Sequence, residues 1–161
     1  MTTSTELALI EQLLDIPVDF RRQPDPLPAS LRPDRRVPLL LLLVAKSHGS
    51  GASWKGLQLL GWAVRDTKNA QLIIALRSNI DIPDRPVVRF EPALDRAIDL
   101  AIGLSLLEQK SPRVFRLTNA GKALVQLLET SNTFSTERET LGRLRGKVTQ
   151  REVDRLLEWR E

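Results

Sequence analysis

The sequence predicts a mainly α-helical fold with a small β element, an α+β arrangement, and three observations predict it. Apolar residues recur at helical spacing in segment after segment, several of them introduced by a Ser or Thr able to cap a helix. One stretch, Ser105 to Leu117, reads instead as two extended pieces around a turn. The 161 residues are 42% hydrophobic and 27% charged, which suits one soluble domain with short appendages. Ten prolines against eight glycines, without an internal period, exclude collagen-like, solenoid and low-complexity chains.

Residues 3–15 read as a helix, because Thr3 with Glu6 has the capping-box pattern and Leu7, Ile10, Leu13 and Leu14 fall on one face. Six prolines between Ile16 and Pro38 then oppose regular structure and favour an extended connector, making the first helix a detached arm. Such a short helix needs a surface to dock on: its own domain, a second copy or another protein. Val37 begins the compact part. The leucine run through Val44 is apolar on every side and predicts a central core helix, with Pro38 in its first turn. Gly49, Ser50 and Gly51 end it.

Ser53 is placed to cap a helix over Trp54 to about Val64, with Leu57, Leu60, Gly61 and Val64 inward, and Thr67 to cap another to about Arg77. In the latter, Leu72, Ile73 and Leu76 are the inward positions, and Lys68, Gln71 and Arg77 the outward ones. Pro83 and Pro86 break the chain, and Val87 to Phe90 predicts a short strand. Pro92 opens a helix over Ala93 to Leu104 whose buried face is Leu94, Ala97, Ile98, Ala101 and Ile102 and whose outward face is Asp95, Arg96 and Asp99. The strands Ser105 to Glu108 and Arg113 to Leu117 follow, and Thr118 caps a helix to about Glu129. Two more capping boxes, Thr136 with Glu139 and Thr149 with Glu152, open a C-terminal helical hairpin broken at Gly146, with Leu141, Leu144, Val153, Leu156 and Leu157 as its apolar stripes.

Charge is unevenly spread. The net value is +4, yet residues 1–30 hold five acids and two bases. From Lys110 through Thr130 there are four bases, Lys110, Arg113, Arg116 and Lys122, against one acid, Glu129. Seven bases and six acids alternate from Thr133 to Glu161, the pattern of a solvated helical face.

Side-chain chemistry argues against an enzyme. With no cysteine there is no disulfide, thiolate zinc site or cysteine nucleophile, and a single histidine, His48, leaves no multi-histidine metal site and no second candidate for a triad. His48 follows the core helix and reads as a helix-end residue beside the C-terminal dipole. Gly49-Ser-Gly51 lacks the Gly-Lys-Ser/Thr of a phosphate loop and reads as a turn. Neither metal nor cofactor is expected. Residues 1–14 contain two acids and no Lys or Arg, unlike a signal peptide, and the apolar run Val37 to Ala45 is far short of the about 20 residues of a membrane span, so the expected location is cytoplasmic, away from membranes.

The order helix, helix, helix, strand, helix, hairpin, helix is that of a winged-helix domain. The segments Gly103-Leu-Ser-Leu-Leu-Glu and Arg113-Val-Phe-Arg-Leu-Thr-Asn-Ala-Gly-Lys-Ala-Leu resemble the wing region of MarR-like and related winged-helix proteins: Phe115 and Leu117 alternate inward, Thr118 stops the strand, and Gly121 permits close packing. The expected organisation is an N-terminal helical arm and Pro-rich linker over 1–36, a winged helix-turn-helix core over 37–130 and a helical hairpin over 131–161.

The layout from residue 31 is also similar to the middle component of bacterial ABC-three-component systems, including Lamassu-type anti-phage defence. The matching segments are Leu31-Arg-Pro with the leucine-rich helix, Leu57-Gln-Leu-Leu-Gly-Trp-Ala-Val-Arg, Val88-Arg-Phe-Glu-Pro-Ala-Leu-Asp-Arg-Ala-Ile-Asp-Leu-Ala, Arg116-Leu-Thr-Asn-Ala-Gly and Gly146-Lys-Val-Thr. That resemblance implies a non-catalytic adaptor beside an SMC-like ATPase and an effector subunit, with double-stranded DNA as a non-specific ligand. In a DNA-reading winged helix the helix before the wing enters the major groove, where Asp95 and Asp99 would face phosphates unfavourably. Lys110, Arg113, Arg116 and Lys122 are the candidates for backbone contact; a solvated wing tip is the other reading of the same residues. Leu7, Ile10 and Leu14 on the arm, Asp95, Arg96 and Asp99, and Trp159 amid charges are the candidate protein-interface residues; Trp54 and Trp62 read as either core or anchor. A second copy of the chain is a further candidate partner, and a dimeric winged-helix transcription regulator is the alternative function.

Overall fold

The computed structural model describes residues 28, 32–78, 88–144 and 146–157. In chain order these form α1 (Pro33–Lys46), a 3-10 turn (His48–Ser50), β1 (Gly51–Ser53), α2 (Trp54–Ala63), α3 (Thr67–Arg77), α4 (Pro92–Gly103), β2 (Leu107–Ser111), β3 (Val114–Leu117), α5 (Asn119–Thr130), α6 (Ser135–Arg143) and α7 (Gln150–Leu157). The fold is mainly helical with one small antiparallel sheet, an α+β arrangement.

The axis of the molecule is α1. Val37 and Leu40 through Val44 are all buried, a run no helix can hide on one face, so neighbours surround it: α2, α4, α5, α6 and the sheet. The helix starts at Pro33, ahead of the expected boundary at Val37. Pro33 sits where a missing N–H costs nothing, and the Arg35 and Arg36 amides close the first turn on the Arg32 carbonyl (3.2 and 3.0 Å). Pro38 lies inside the helix and forfeits one backbone bond, a loss of about 3 kcal/mol. Burial of the leucines, each contributing about 1.5–3 kcal/mol, exceeds it.

The sheet runs β1–β3–β2. Ala52 faces Phe115, Leu107 faces Leu117 and Glu108 faces Arg116, with an irregularity between Gln109 and Ser111. The hairpin bends at Pro112 and Arg113, the latter in the left-handed region at φ 61°, so β2 runs three residues beyond the expected Glu108. Phe115 and Leu117 are buried while Arg116 is exposed, as the alternation requires. The expected strand at Val87–Phe90 is not one. Residues 88–90 belong to no strand and Val87 lies outside the described residues; the free edge of β3 is taken by Gly51–Ser53, which the end of α1 delivers there.

Local capping is mixed. Ser53 Oγ accepts the Gly56 N–H (3.1 Å) to open α2, and Thr118 Oγ1 accepts that of Gly121 (3.1 Å) to open α5. Gly121 must be glycine, because a Cβ there would drive into the Leu106 carbonyl oxygen. For α3 the cap is Asp66 and not Thr67: its carboxylate accepts the Lys68 N–H (2.9 Å) and its carbonyl the N–H groups of Asn69 and Ala70. The Thr136–Glu139 box does not form. Phe134, at φ 55°, is the cap of α6, placing its ring 5.6 Å beneath the Arg35 guanidinium, while Glu139 pairs with Arg143 (2.6 Å). The Thr149–Glu152 box does form, with reciprocal bonds of 2.9 and 3.3 Å.

The C-terminal helices are fastened to the core. α6 packs on α1 and α3, and α7 on α2 and α3; Leu141, Leu144 and Val153 are buried. Val148 and the end of α1 exchange backbone bonds, Val148 N–H to Lys46 O (3.2 Å) and His48 N–H to Val148 O (3.1 Å). Arg77 joins the pieces, donating to the carbonyls of Leu144 and Lys147 and pairing with Glu152 through Nε (2.8 Å). That hydrogen bond, opposed by burial and reinforced by Thr149, lowers the Glu152 carboxyl from the usual 4.5 to about 2. A depressed carboxyl contributes stability that is complete above its unfolded value and lost as pH falls through its folded one. The thermal unfolding midpoint is therefore expected to fall between pH 4.5 and pH 2, and Glu152→Gln to flatten that slope; equal slopes for both proteins would exclude the pair as its source.

Candidate functional site

Helix α4 and the β2–β3 hairpin carry most of the described residues the sequence singles out. Leu94, Ala97, Ile98 and Ala101 turn inward on α4, which leaves Arg96, Asp99, Leu100 and Leu104 exposed, the two leucines by 39% and 55%. Large apolar groups that open to water are the feature to explain, since buried alternatives exist throughout this core. Asp95 is half-buried and not a free charge: it accepts the Trp54 indole N–H at 2.5 Å. The Arg113 guanidinium lies 5.2 Å over the same indole, and the Phe90 ring meets it edge-on at 4.9 Å. Phe90 is itself 49% exposed. A cleft of about 280 Å³ separates α4 from the hairpin, walled by Trp54, Ile98 and Phe115 and edged by Asp95, Asp99 and Arg113.

The four candidate phosphate contacts are all exposed but are not a bare positive stripe. Lys110 pairs with Glu108 (3.0 Å), Arg113 is stacked on Trp54, and Arg116 stands across the ladder from Glu108. Lys122 lies in the first turns of α5. Reading the charge window from Lys110 onward left out Glu108, the acid that sits among these bases. The Lys110–Glu108 pair is itself solvent-exposed, and such pairs contribute only about 0–1 kcal/mol. Leu7, Ile10, Leu14 and Trp159 lie outside the described residues. His48 is exposed, Trp54 and Trp62 are half-buried, and no group of three potential metal ligands occurs among the described residues. No described helix is long and apolar enough to cross a membrane.

A second cluster escaped the sequence reading. Gln58, buried inside α2, uses its side-chain amide as a surrogate backbone: Oε1 accepts the Glu91 N–H (2.8 Å) and Nε2 donates to the Glu91 carbonyl (3.3 Å). Glu91 then receives Arg36 and Arg65, one on each carboxylate oxygen. Burial raises its pKa, but the two guanidinium groups together outweigh that and hold the carboxyl below the usual range. The signal for Gln58 was present: a lone amide within an apolar run must find partners. Those partners lie on other elements and were not legible.

Charge also follows helix direction. Arg35, Arg36 and Leu39 of α1 share a groove with Ser135, Thr136 and Glu137 of α6, and Leu42, Ala45 and Lys46 share a hollow with Leu141 and Gly142, so the two helices run side by side in parallel. Their aligned dipoles repel. At the shared N-terminal end, Glu137 pairs with Arg35 and Glu91 with Arg36; at the other end of α1, Lys147 donates to the Ala45 carbonyl (2.6 Å), while Arg138 closes the C-terminal end of α5 by donating to the carbonyls of Leu128, Glu129 and Ser131. Lys46 stands at that end of α1 too; burial pushes its ammonium below the usual lysine range, and the charges of Arg77 and Lys147 push it further.

Compared with protein-family models, with curated proteins and with solved structures, the chain matches none. The geometry around Trp54 makes a direct prediction. Asp95→Ala strands a half-buried indole donor and is expected to cost about 1–2 kcal/mol in urea unfolding and to move the Trp54 indole N–H resonance, whereas Asp99→Ala is expected to leave both unchanged.

Proposed function

We propose that this chain is a non-catalytic adaptor built on a winged helix, a subunit of an SMC-like ATPase complex of the ABC-three-component type in anti-phage defence, holding partner proteins with the outward face of α4. What supports the winged-helix reading is the sheet order β1–β3–β2, with β1 leading into helices and the hairpin following α4 directly. Three helices separate β1 from β2, one more than a minimal helix-turn-helix unit needs.

The observation that carries the function is the composition of that α4 face. A helix entering a major groove offers Arg, Lys, Asn or Gln to base edges and keeps carboxylates away from phosphates. Here Asp99, Leu100 and Leu104 are exposed toward the C-terminal end of α4, Phe90 is exposed ahead of its N-terminal end, and one arginine, Arg96, accompanies them. Exposed leucines accompanied by mixed charge fit a protein surface better than a phosphate backbone. DNA backbone is a secondary ligand of the hairpin, where Arg116 and Lys122 reach no acceptor among the described residues and the exposed Lys110–Glu108 pair can exchange for phosphate.

This reading requires a long coiled-coil ATPase encoded beside the chain, and co-expression of the two is expected to give a complex that co-elutes on size-exclusion chromatography. Leu100→Glu with Leu104→Glu is expected to weaken it at least about tenfold, the equivalent of about 1.4 kcal/mol. Lys110, Arg113 and Arg116 each changed to Glu are expected to abolish DNA retention while the protein complex persists. Persistent failure of the two folded proteins to associate, together with a footprint by the chain alone at about 1,000-fold preference over random DNA, would replace this reading with that of a transcription regulator.

A further inference from the structure

The groove shared by the N-terminal ends of α1 and α6 and the C-terminal end of α2 has a volume of about 720 Å³ and no role in the function proposed above. Leu39, Val64 and Phe134 give it apolar walls, and Arg35, Arg36 and Arg65 line it against only two carboxylates, Glu91 and Glu137. Two helix N-termini add positive potential, offset in part by the C-terminal end of α2. Arg36 Nε is buried without an acceptor among the described residues. The occupant this lining favours is apolar along one side and acidic.

Residues 1–30 meet that description: five acids, two bases, and Leu7, Ile10, Leu13 and Leu14 at helical spacing with Glu6, Glu11 and Asp15 among and beside them. They are also joined to the groove, since the chain continues from them into the first turn of α1, where Arg35 and Arg36 stand. A connector over 16–32 reaches roughly 50 Å as proline-rich extended chain, at about 3.1 Å per residue. Tethering by such a connector corresponds to an effective concentration on the order of millimolar. A second copy at micromolar concentration competes poorly against it.

We propose that residues 3–15 of the same chain dock in this groove, their apolar stripe on Leu39, Val64 and Phe134 and their carboxylates toward the arginines. The docking is independent of whether partners bind α4. Because the chain has no cysteine, one nitroxide attached at Thr136→Cys, an exposed position lining the groove, reports proximity in the full-length protein. The amide signals of residues 3–15 are expected to lose more than half their intensity, unchanged on dilution, while a label at His48→Cys, exposed beyond the opposite end of α1, broadens them far less. Loss seen only when labelled chains are mixed with unlabelled, isotopically enriched ones would assign the groove to a second copy; no loss at all would leave it without this occupant. Either result overturns the proposal. Glu6→Lys with Glu11→Lys alters none of the described core and is expected to abolish the effect, so an undiminished effect in that variant would overturn the electrostatic assignment.

Discussion

A helix that is apolar on every side has to be enclosed on every side. That constraint, set by the leucines of α1, organises the rest of the molecule: helices and sheet pack around a single axis because exposing any flank of it would return several leucines to water. It also explains why the C-terminal helices are not an appendage. α6 covers a flank of α1, and α7 holds its place by packing over α2 and α3, so both are drawn into the same core. The tolerance of Pro38 within α1 has the same origin, since the burial energy along the helix exceeds the cost of one missing backbone bond.

Enclosure creates an electrostatic difficulty that the charged side chains resolve. Setting α6 parallel to α1 aligns their dipoles; at the N-terminal ends Glu137 and Glu91 pair with Arg35 and Arg36, and at the C-terminal end of α1 Lys147 donates to the Ala45 carbonyl. Three bases act on carbonyl oxygens at helix C-terminal ends: Lys147 on α1, Arg138 on α5, Arg77 on α6. These bases lie outside the Lys110–Lys122 stretch that the sequence offers to phosphates, and they are occupied with closing helix ends. What is left over at the hairpin is modest, and interleaved with Glu108.

How much was legible follows the range of the interaction. Ser53, Thr118 and the Thr149–Glu152 pair were readable because a cap involves neighbours within one turn. Thr136 is not a cap because the helix already starts at Ser135, capped by Phe134, whose ring lies under Arg35, and Asp66 caps in place of Thr67, one residue earlier. Gly51–Ser53 has no strand propensity and becomes β1 only through pairing with β3, whereas Val88 to Phe90 has the propensity and pairs with no strand. The face of α4 was read correctly in outline, with Asp99 and Arg96 outward, but the tie between Asp95 and Trp54, 41 residues apart, could not be seen. Glu91 was invisible for the same reason, its partners Arg36 and Arg65 lying 55 and 26 residues away.

The hairpin tip has one further property. Trp54 is the first residue of α2, and its amide, which no helical carbonyl can satisfy, donates to the Arg113 carbonyl at 2.8 Å, while the Arg113 side chain covers the Trp54 ring. The bend is thereby riveted to the start of another helix by both backbone and side chain. A hairpin held only by its own two strands would swing freely and absorb a pull by bending; this one passes the load into α2, and through the Gln58–Glu91 linkage to the base of α4. A force applied at the tip is thus carried into the same frame that presents Leu100 and Leu104.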